Sequence, residues 1–236
     1  MDWLGYSPAD LVPFSGETWL ALLARYNEDH LPAVIAGMAL GLVLLRLTAG
    51  RSPRLLRPVL ALLGLCWLWI SWTFLHQALG TLLWAADWLA WAFAVQGALL
   101  LLCAGLPYTG AMTPRPRLGS PLRYPPPAWW LLATAVLLWP VLELAVGRVW
   151  TALGWFGTGP DATAAGTLAV AAMTPGRRAW LLLPVPVLWC LVSSAMLGVF
   201  EAPLWWLPLV APLLVGPLSW LERRGAQDPV RLPPSA

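Results

Sequence analysis

The chain contains no lysine: all 14 basic side chains are arginine. A lysine Schiff base is therefore excluded, and with it a retinal-type pigment or a lysine-dependent enzyme. Charge of any sign is scarce, at 11% of residues against about 25% in a soluble domain. Cysteine is scarce too. Cys66, Cys103 and Cys190 each lie inside an apolar run and form no CxxC pair, so they read as small buried hydrophobes rather than a disulfide framework. With only two histidines, a bis-histidine haem would require His30 and His76 together. There is no Gly-x-Ser-x-Gly elbow, no phosphate-cradling glycine loop and no HxxxH or ExxH ligand spacing. Nothing in these patterns points to an enzyme, and they specify neither metal nor cofactor. The N-terminus lacks a basic region followed by a short apolar core, so no cleavable signal peptide is expected.

What the chain does have is apolar length. Hydrophobic residues make up 59% of it, and tryptophan (18) far outnumbers phenylalanine (5). Tryptophan settles at lipid–water boundaries. Residues 15–27 read as an amphipathic helix lying at the interface. Ser15 suits its cap, Glu17 its first turn, and Trp19, Leu20, Leu22, Leu23 and Tyr26 form one broad apolar face. Candidate spans follow at Leu31–Leu47, Arg57–His76, Leu82–Gly105, Ala128–Val146, Asp161–Met173, Ala179–Phe200 and Leu204–Leu221. The Asp161–Met173 segment is the weakest, being short and rich in alanine and glycine. Between the third and fourth spans lies a polar, proline-rich loop with Arg115, Arg117 and Arg123.

Charge arbitrates the count. Arg46, Arg51, Arg54 and Arg57 flank the first gap, and the gap at 78–81 has no base. Three arginines mark the third gap and Arg148 alone the fourth. Arg177 and Arg178 mark the fifth, Glu201 without a base the sixth, and Arg223, Arg224 and Arg231 the tail. Basic residues favour the cytoplasmic side. The alternation therefore predicts an all-α polytopic bundle of about seven spans, with the N-terminus outside and the C-terminus cytoplasmic. The organisation read from this is an outer interfacial segment at 1–30, a transmembrane bundle at 31–221 and a mobile cytoplasmic tail at 222–236. The expected location is the bacterial inner membrane. Anionic headgroups are the expected partners of the cytoplasmic arginine loops, and nucleic acid, which needs a contiguous basic surface, is not a partner.

Ionisable residues inside a bilayer are costly and become functional candidates. His76, Asp87, Glu143 and Asp161 are such residues, and the predicted threading places them all toward the outer side. Asp87 and Glu143 each fall about 8 Å below the outer edge at 1.5 Å per residue. The leading expectation is an outward-facing polar pocket, built from these four side chains, that binds or moves a small solute or cation. The alternative is a non-catalytic subunit or assembly partner of a larger membrane complex. A structural role is a further reading: Asp87 or Glu143 pairing with Arg148, and Ser71, Thr73 and Gln96 bonding between helices.

Several short patterns carry a family resemblance. Pro13-Phe14-Ser15, Trp19, Arg25-Tyr26-Asn27 and Pro32 open it. Trp67-Leu68-Trp69 with His76, Val95-Gln96-Gly97, Trp139-Pro140, Gly147 and Phe156-Gly157 continue it. Together they resemble an uncharacterised bacterial multi-pass membrane family, domain-of-unknown-function family 6064. The resemblance implies a polytopic membrane protein and brings no assigned activity. Where the family pattern carries Pro-Cys-Pro-Thr near the fifth span, this chain reads Pro160-Asp161-Ala162-Thr163, which removes a thiol from that position.

Overall fold

The computed structural model describes residues 12–50, 53–106, 125–176 and 178–227. Residues 1–11, Arg51, the loop bearing Arg115, Arg117 and Arg123, Arg177, and the tail from 228 with Arg231 lie outside the described residues. Among the described residues the protein is all-helical, without a strand. Among the described residues, four helical segments, against the seven or so expected, are long and apolar enough to cross a membrane: Leu31–Ala49, Leu55–Thr81, Ala86–Gly105 and Pro127–Ala145.

Helix α1 (Gly16–Asp29) begins where predicted. Ser15 Oγ accepts from the Thr18 amide, and Glu17 sits in the first turn. Its inward residues are Trp19, Leu23, Tyr26 and Asn27, recurring at helical spacing. The apolar face is the predicted one, but it meets protein rather than lipid. The Phe74 ring lies edge-on to Trp19 and to Tyr26, at centroid distances of 5.7 and 5.1 Å, and such aromatic pairs add to the area they bury.

Helix α2 (Leu31–Ala49) has Pro32 in its first turn, where a missing N–H costs nothing. Helix α3 (Pro53–Trp69) runs on into a π-helical segment, Ile70–Ala78, and a single 3₁₀ turn, Leu79–Thr81. The widened turns carry a closed relay to α1. Thr73 donates to the Trp69 carbonyl, so Tyr26 donates to Thr73, and Trp69 Nε1 donates to Tyr26. Burial raises the Tyr26 phenol above the ordinary tyrosine range, against the opposing pull of those hydrogen bonds. The phenol therefore keeps the proton the relay needs.

Helix α4 (Ala86–Gly105) packs along α3 at a pair of glycines. A Cβ on Gly64 would stand 2.9 Å from the Gly97 carbonyl, and one on Gly97 would stand 3.0 Å from that of Gly64. Small residues of this kind let membrane helices approach closely. Ser71 ties the same pair of helices by donating to the Ala90 carbonyl. The fourth leg, α5 (Pro127–Ala145), has its own π segment at Thr134–Leu138, and Pro140 restarts α-helix just after it. Helix α6 (Pro160–Met173) follows the loop 146–159. The sixth apolar stretch, expected as one span, is broken. A single turn (Arg178–Leu181) precedes α7 (Pro184–Val199), whose first-turn proline begins a new helix. Helix α8 (Leu207–Gln227) extends past Glu222, so residues 222–227, expected to be mobile tail, continue the helix.

Successive legs run to and fro between two ends. At one end Arg57 donates to the carbonyls of Ala104 and Gly105, Trp129 Nε1 to Leu45, and the Ala128 amide to Glu222. At the other end His76 meets Asp87, and the Phe14 ring meets Phe200. At the centre stands α6. Every residue from Pro160 to Ala172 is buried, and α3, α5, α7 and α8 pack around it. This is the segment hydropathy rates weakest. Its alanines, its glycine and its self-bonded threonines make a thin cylinder that four neighbours can approach.

The glycine crossing makes a prediction. Gly64→Val or Gly97→Val should lower stability by about 1–3 kcal/mol through overpacking, read as a lower unfolding midpoint in detergent. Gly105→Ala, with open space around it, should leave the midpoint unchanged.

Candidate functional site

Between α5 and α6 the chain abandons helix inside the bundle. After a 3₁₀ turn at Trp150–Ala152, the backbone from 152 to 160 is buried apart from Trp155. Non-helical backbone at membrane depth is tolerated only where protein or water satisfies its polar groups. Here the partners can be named. Asn27 Nδ2 donates to the carbonyls of Thr151 (2.6 Å) and Leu153 (2.9 Å). The Gly154 amide donates to Glu143 Oε2 (2.6 Å), and the Gly157 amide to Thr163 Oγ1 (2.9 Å). Phe156 anchors the loop by filling a slot between glycines of α2 and α6. Cβ atoms on Gly41 and Gly166 would fall 2.9 and 2.5 Å from its ring. Gly157 has a φ of +87° and lies against Gly37, so no side chain fits there.

The same loop carries the buried charges. Arg148 Nη1 donates to Glu143 Oε1 at 2.5 Å, with side chains only 12% and 5% exposed. Asp161 occupies the first turn of α6, where the helix dipole favours a carboxylate. It accepts from Trp189 Nε1 of α7 at 2.7 Å. Glu143, Asp161 and Arg148 lie within electrostatic reach of one another. Trp139 Nε1 lies beside the Glu143 carboxylate and Ser193 Oγ beside that of Asp161. Both atoms are buried, and neither closes a hydrogen bond of sound geometry. The centre thus holds two carboxylates, one guanidinium and two donors that lack a settled partner.

The four sequence-predicted residues fall into two pairs. Glu143 and Asp161 belong to the buried centre. His76 Nδ1 donates to Asp87 Oδ1 at 2.7 Å on the surface, with side chains 47% and 60% exposed, and the Trp72 ring lies 4.9 Å from the imidazole. No hydrogen bond or ion pair joins the two pairs among the described residues. His30 donates from Nδ1 to the Tyr26 carbonyl, and its ring packs against those of Tyr26 and Trp69. No group of three or more potential metal ligands occurs among the described residues. Of the expected interhelical partners, Ser71 and Thr73 bond as described, and Gln96 donates to the Leu182 carbonyl at 3.3 Å. The pairing of Glu143 with Arg148 is the one anticipated. Asn27, Trp139, Trp189 and the Gly154 amide were not anticipated as site groups, and a single sequence has no spacing rule that would reveal them.

Asn27→Ala should strip two buried carbonyls of their donor. The expected cost is about 1–3 kcal/mol, together with faster hydrogen exchange at amides 150–159 than in the parent protein.

Comparison with curated proteins and with solved structures finds no match. A family model does match, over residues 16–224, and the segment includes every residue of the buried centre and of the surface pair. The chain belongs to a family of unknown function (DUF6064).

Proposed function

We propose that the protein is an integral inner-membrane protein that takes up a proton or a small monovalent cation at the Glu143–Arg148–Asp161 centre. In this reading the chain threads the bilayer about seven times, with its N-terminal side outside. The placement of charge supports it. Arg46, Arg57, Arg223 and Arg224 belong to one end of the bundle, and Arg178 lies near Cys103 at the end of α4. Arg25 and Arg148 belong to the other end.

The observation that carries the reading is the charge count. Two buried carboxylates face one guanidinium, and a buried charge without a partner is strongly unfavourable. One further positive charge balances the centre. A proton or a small cation supplies it, with Asp161 and Ser193 as the oxygen-bearing groups not committed to Arg148. The buried loop and the start of α6 at this point match the way membrane carriers build ion sites from discontinuous helices. His76 and Asp87 stand at the outer rim as a polar station between solvent and bundle. Such intramembrane acids are functional by default.

A second reading rests on α4. Trp84, Trp88 and Trp91 are 80%, 73% and 70% exposed, and the last two share a helix face one turn apart. An exposed aromatic stripe of this kind also suits a neighbouring membrane subunit. Purification in mild detergent separates the two: a co-purifying partner of fixed stoichiometry favours the subunit, and a lone chain favours the carrier.

The carrier reading is tested by measuring the unfolding midpoint against Na⁺, K⁺ and pH at constant ionic strength. A ligand that binds only the folded state raises the midpoint with its concentration. The wild-type midpoint should respond to one of the three, and Asp161→Asn should fold yet lose that response. A wild-type midpoint indifferent to all three overturns the reading. Threading is tested separately: a tag at the N-terminus should be accessible in intact cells, and one at the C-terminus only after permeabilisation.

A further inference from the structure

Helix α1 and the π segment of α3 enclose a cleft of about 320 Å³, at the small end of the ~300–1,000 Å³ typical of ligand sites. Its floor is formed by Leu22, Tyr26 and Ala78, and polar side chains stand on both sides of it. Arg25, Asp29 and His30 line one side, and Thr73, Gln77 and Thr81 the other. Arg25 and Asp29 lie one helical turn apart, with guanidinium and carboxylate 3.7 Å from each other and both largely exposed. The rim therefore offers one positive and one negative group side by side, in a loose surface pair that costs little to separate.

Below the cleft both walls turn apolar. On α3, Trp69 and Leu65 continue the line of Gln77 and Thr73 at four-residue steps, and both are exposed. On α2, Leu31 and Ile35 follow directly from His30 and are exposed as well. Helices α2 and α3 pack together, and the His30 and Trp69 rings meet edge-on at 5.8 Å where the polar cleft gives way to the apolar strip. Exposed Trp72 and Trp84 at this end of the bundle mark the level of an interface.

We infer that this cleft seats the headgroup of a phosphoethanolamine phospholipid, with its acyl chains lying on the strip formed by Leu31, Ile35, Leu65 and Trp69. The inference rests on the membrane reading above. A guanidinium matches a phosphate. Asp29 and the side-chain oxygens of Gln77 and Thr81 accept from a primary ammonium, which has three donors. A trimethylammonium group has no N–H donor for those acceptors, and an anionic glycerol headgroup leaves Asp29 facing negative charge. Charged groups at the cleft beside an exposed apolar strip match an amphiphile, which a water-soluble ligand would not need.

The test uses the full chain in nanodiscs of equal parts phosphatidylethanolamine, phosphatidylcholine and phosphatidylglycerol. After extraction into mild detergent, lipids retained by the protein are counted by native mass spectrometry. One phosphatidylethanolamine per chain should be retained, at least about tenfold above either competitor, a margin of about 1.4 kcal/mol. Arg25→Ala should abolish retention. Asp29→Asn should reduce the preference over phosphatidylglycerol more than that over phosphatidylcholine. Glu28→Ala, outside the cleft lining, should change nothing, and unaltered circular dichroism will confirm that the variants fold. Soluble glycerophosphoethanolamine should compete poorly. Equal retention of all three lipids, no retained lipid, or indifference to Arg25→Ala would each overturn the inference. Effective competition by the soluble headgroup would overturn the acyl track. Failure of the membrane reading itself has a separate signature, release of the protein from membranes by alkaline carbonate.

Discussion

The burial of α6 sets the terms for everything around it. Fourteen residues at 1.5 Å each make a helix of about 21 Å, well short of the ~30 Å of hydrocarbon it would have to cross alone. Surrounded by protein on all sides, it needs neither the length nor the greasiness of a lipid-facing span. Its small side chains let α3, α5, α7 and α8 come in close, and its threonines return their hydroxyls to their own backbone or accept from a neighbour. Trp67 Nε1 donates to Thr167 at 2.8 Å, so even the axial polar groups stitch helices together.

A short central helix leaves chain to be accommodated above it, and that is where the buried loop lies. Its amides and carbonyls are out of reach of water, so each needs a protein partner. Asn27, Glu143 and Thr163 supply them from three separate helices. Two needs therefore meet at one place. Glu143 is at once a structural acceptor for Gly154 and a charge that Arg148 must balance. Asp161 stands in the first turn of α6, where the helix dipole favours a carboxylate, while adding a second negative charge nearby. The charge surplus follows from the architecture, because the acidic groups that hold the loop and start the helix outnumber the base within reach.

Much of the helical plan is legible in the residues. The apolar runs became helices and the Ser15 cap formed, whereas the amphipathic face of α1, expected on lipid, packs on Phe74 instead. Arg46, Arg57, Arg223 and Arg224 gather at one end of the bundle, while Arg25 and Arg148 lie at the other. What periodicity does not register is partner identity. The face of Trp19 and Tyr26 looks the same whether lipid or Phe74 covers it. The break before Pro184 and the run of helix past Glu222 depend on neighbours, since Glu222 is held by the Ala128 amide far away in sequence. At the site, Glu143, Asp161 and Arg148 stand out because charge is costly in an apolar chain. The donors that face them, Trp139, Trp189 and Ser193, are ordinary members of apolar helices until the fold assembles them. His76 and Asp87 looked comparable with the buried acids by position along their spans, yet they lie on the surface because both sit at the ends of their helices.

The aromatic plug at Phe156 has a consequence for biogenesis. It wedges between α2, made early, and α6, made more than a hundred residues later, while Asn27 waits for carbonyls of the same late loop. A nascent chain leaving the ribosome thus cannot complete its first third before the middle has emerged. Helices made early must keep their glycine notches open until that segment arrives. Completion of the early half of the fold is thereby tied to a late helix whose small side chains gain their stability only from the neighbours that enclose it.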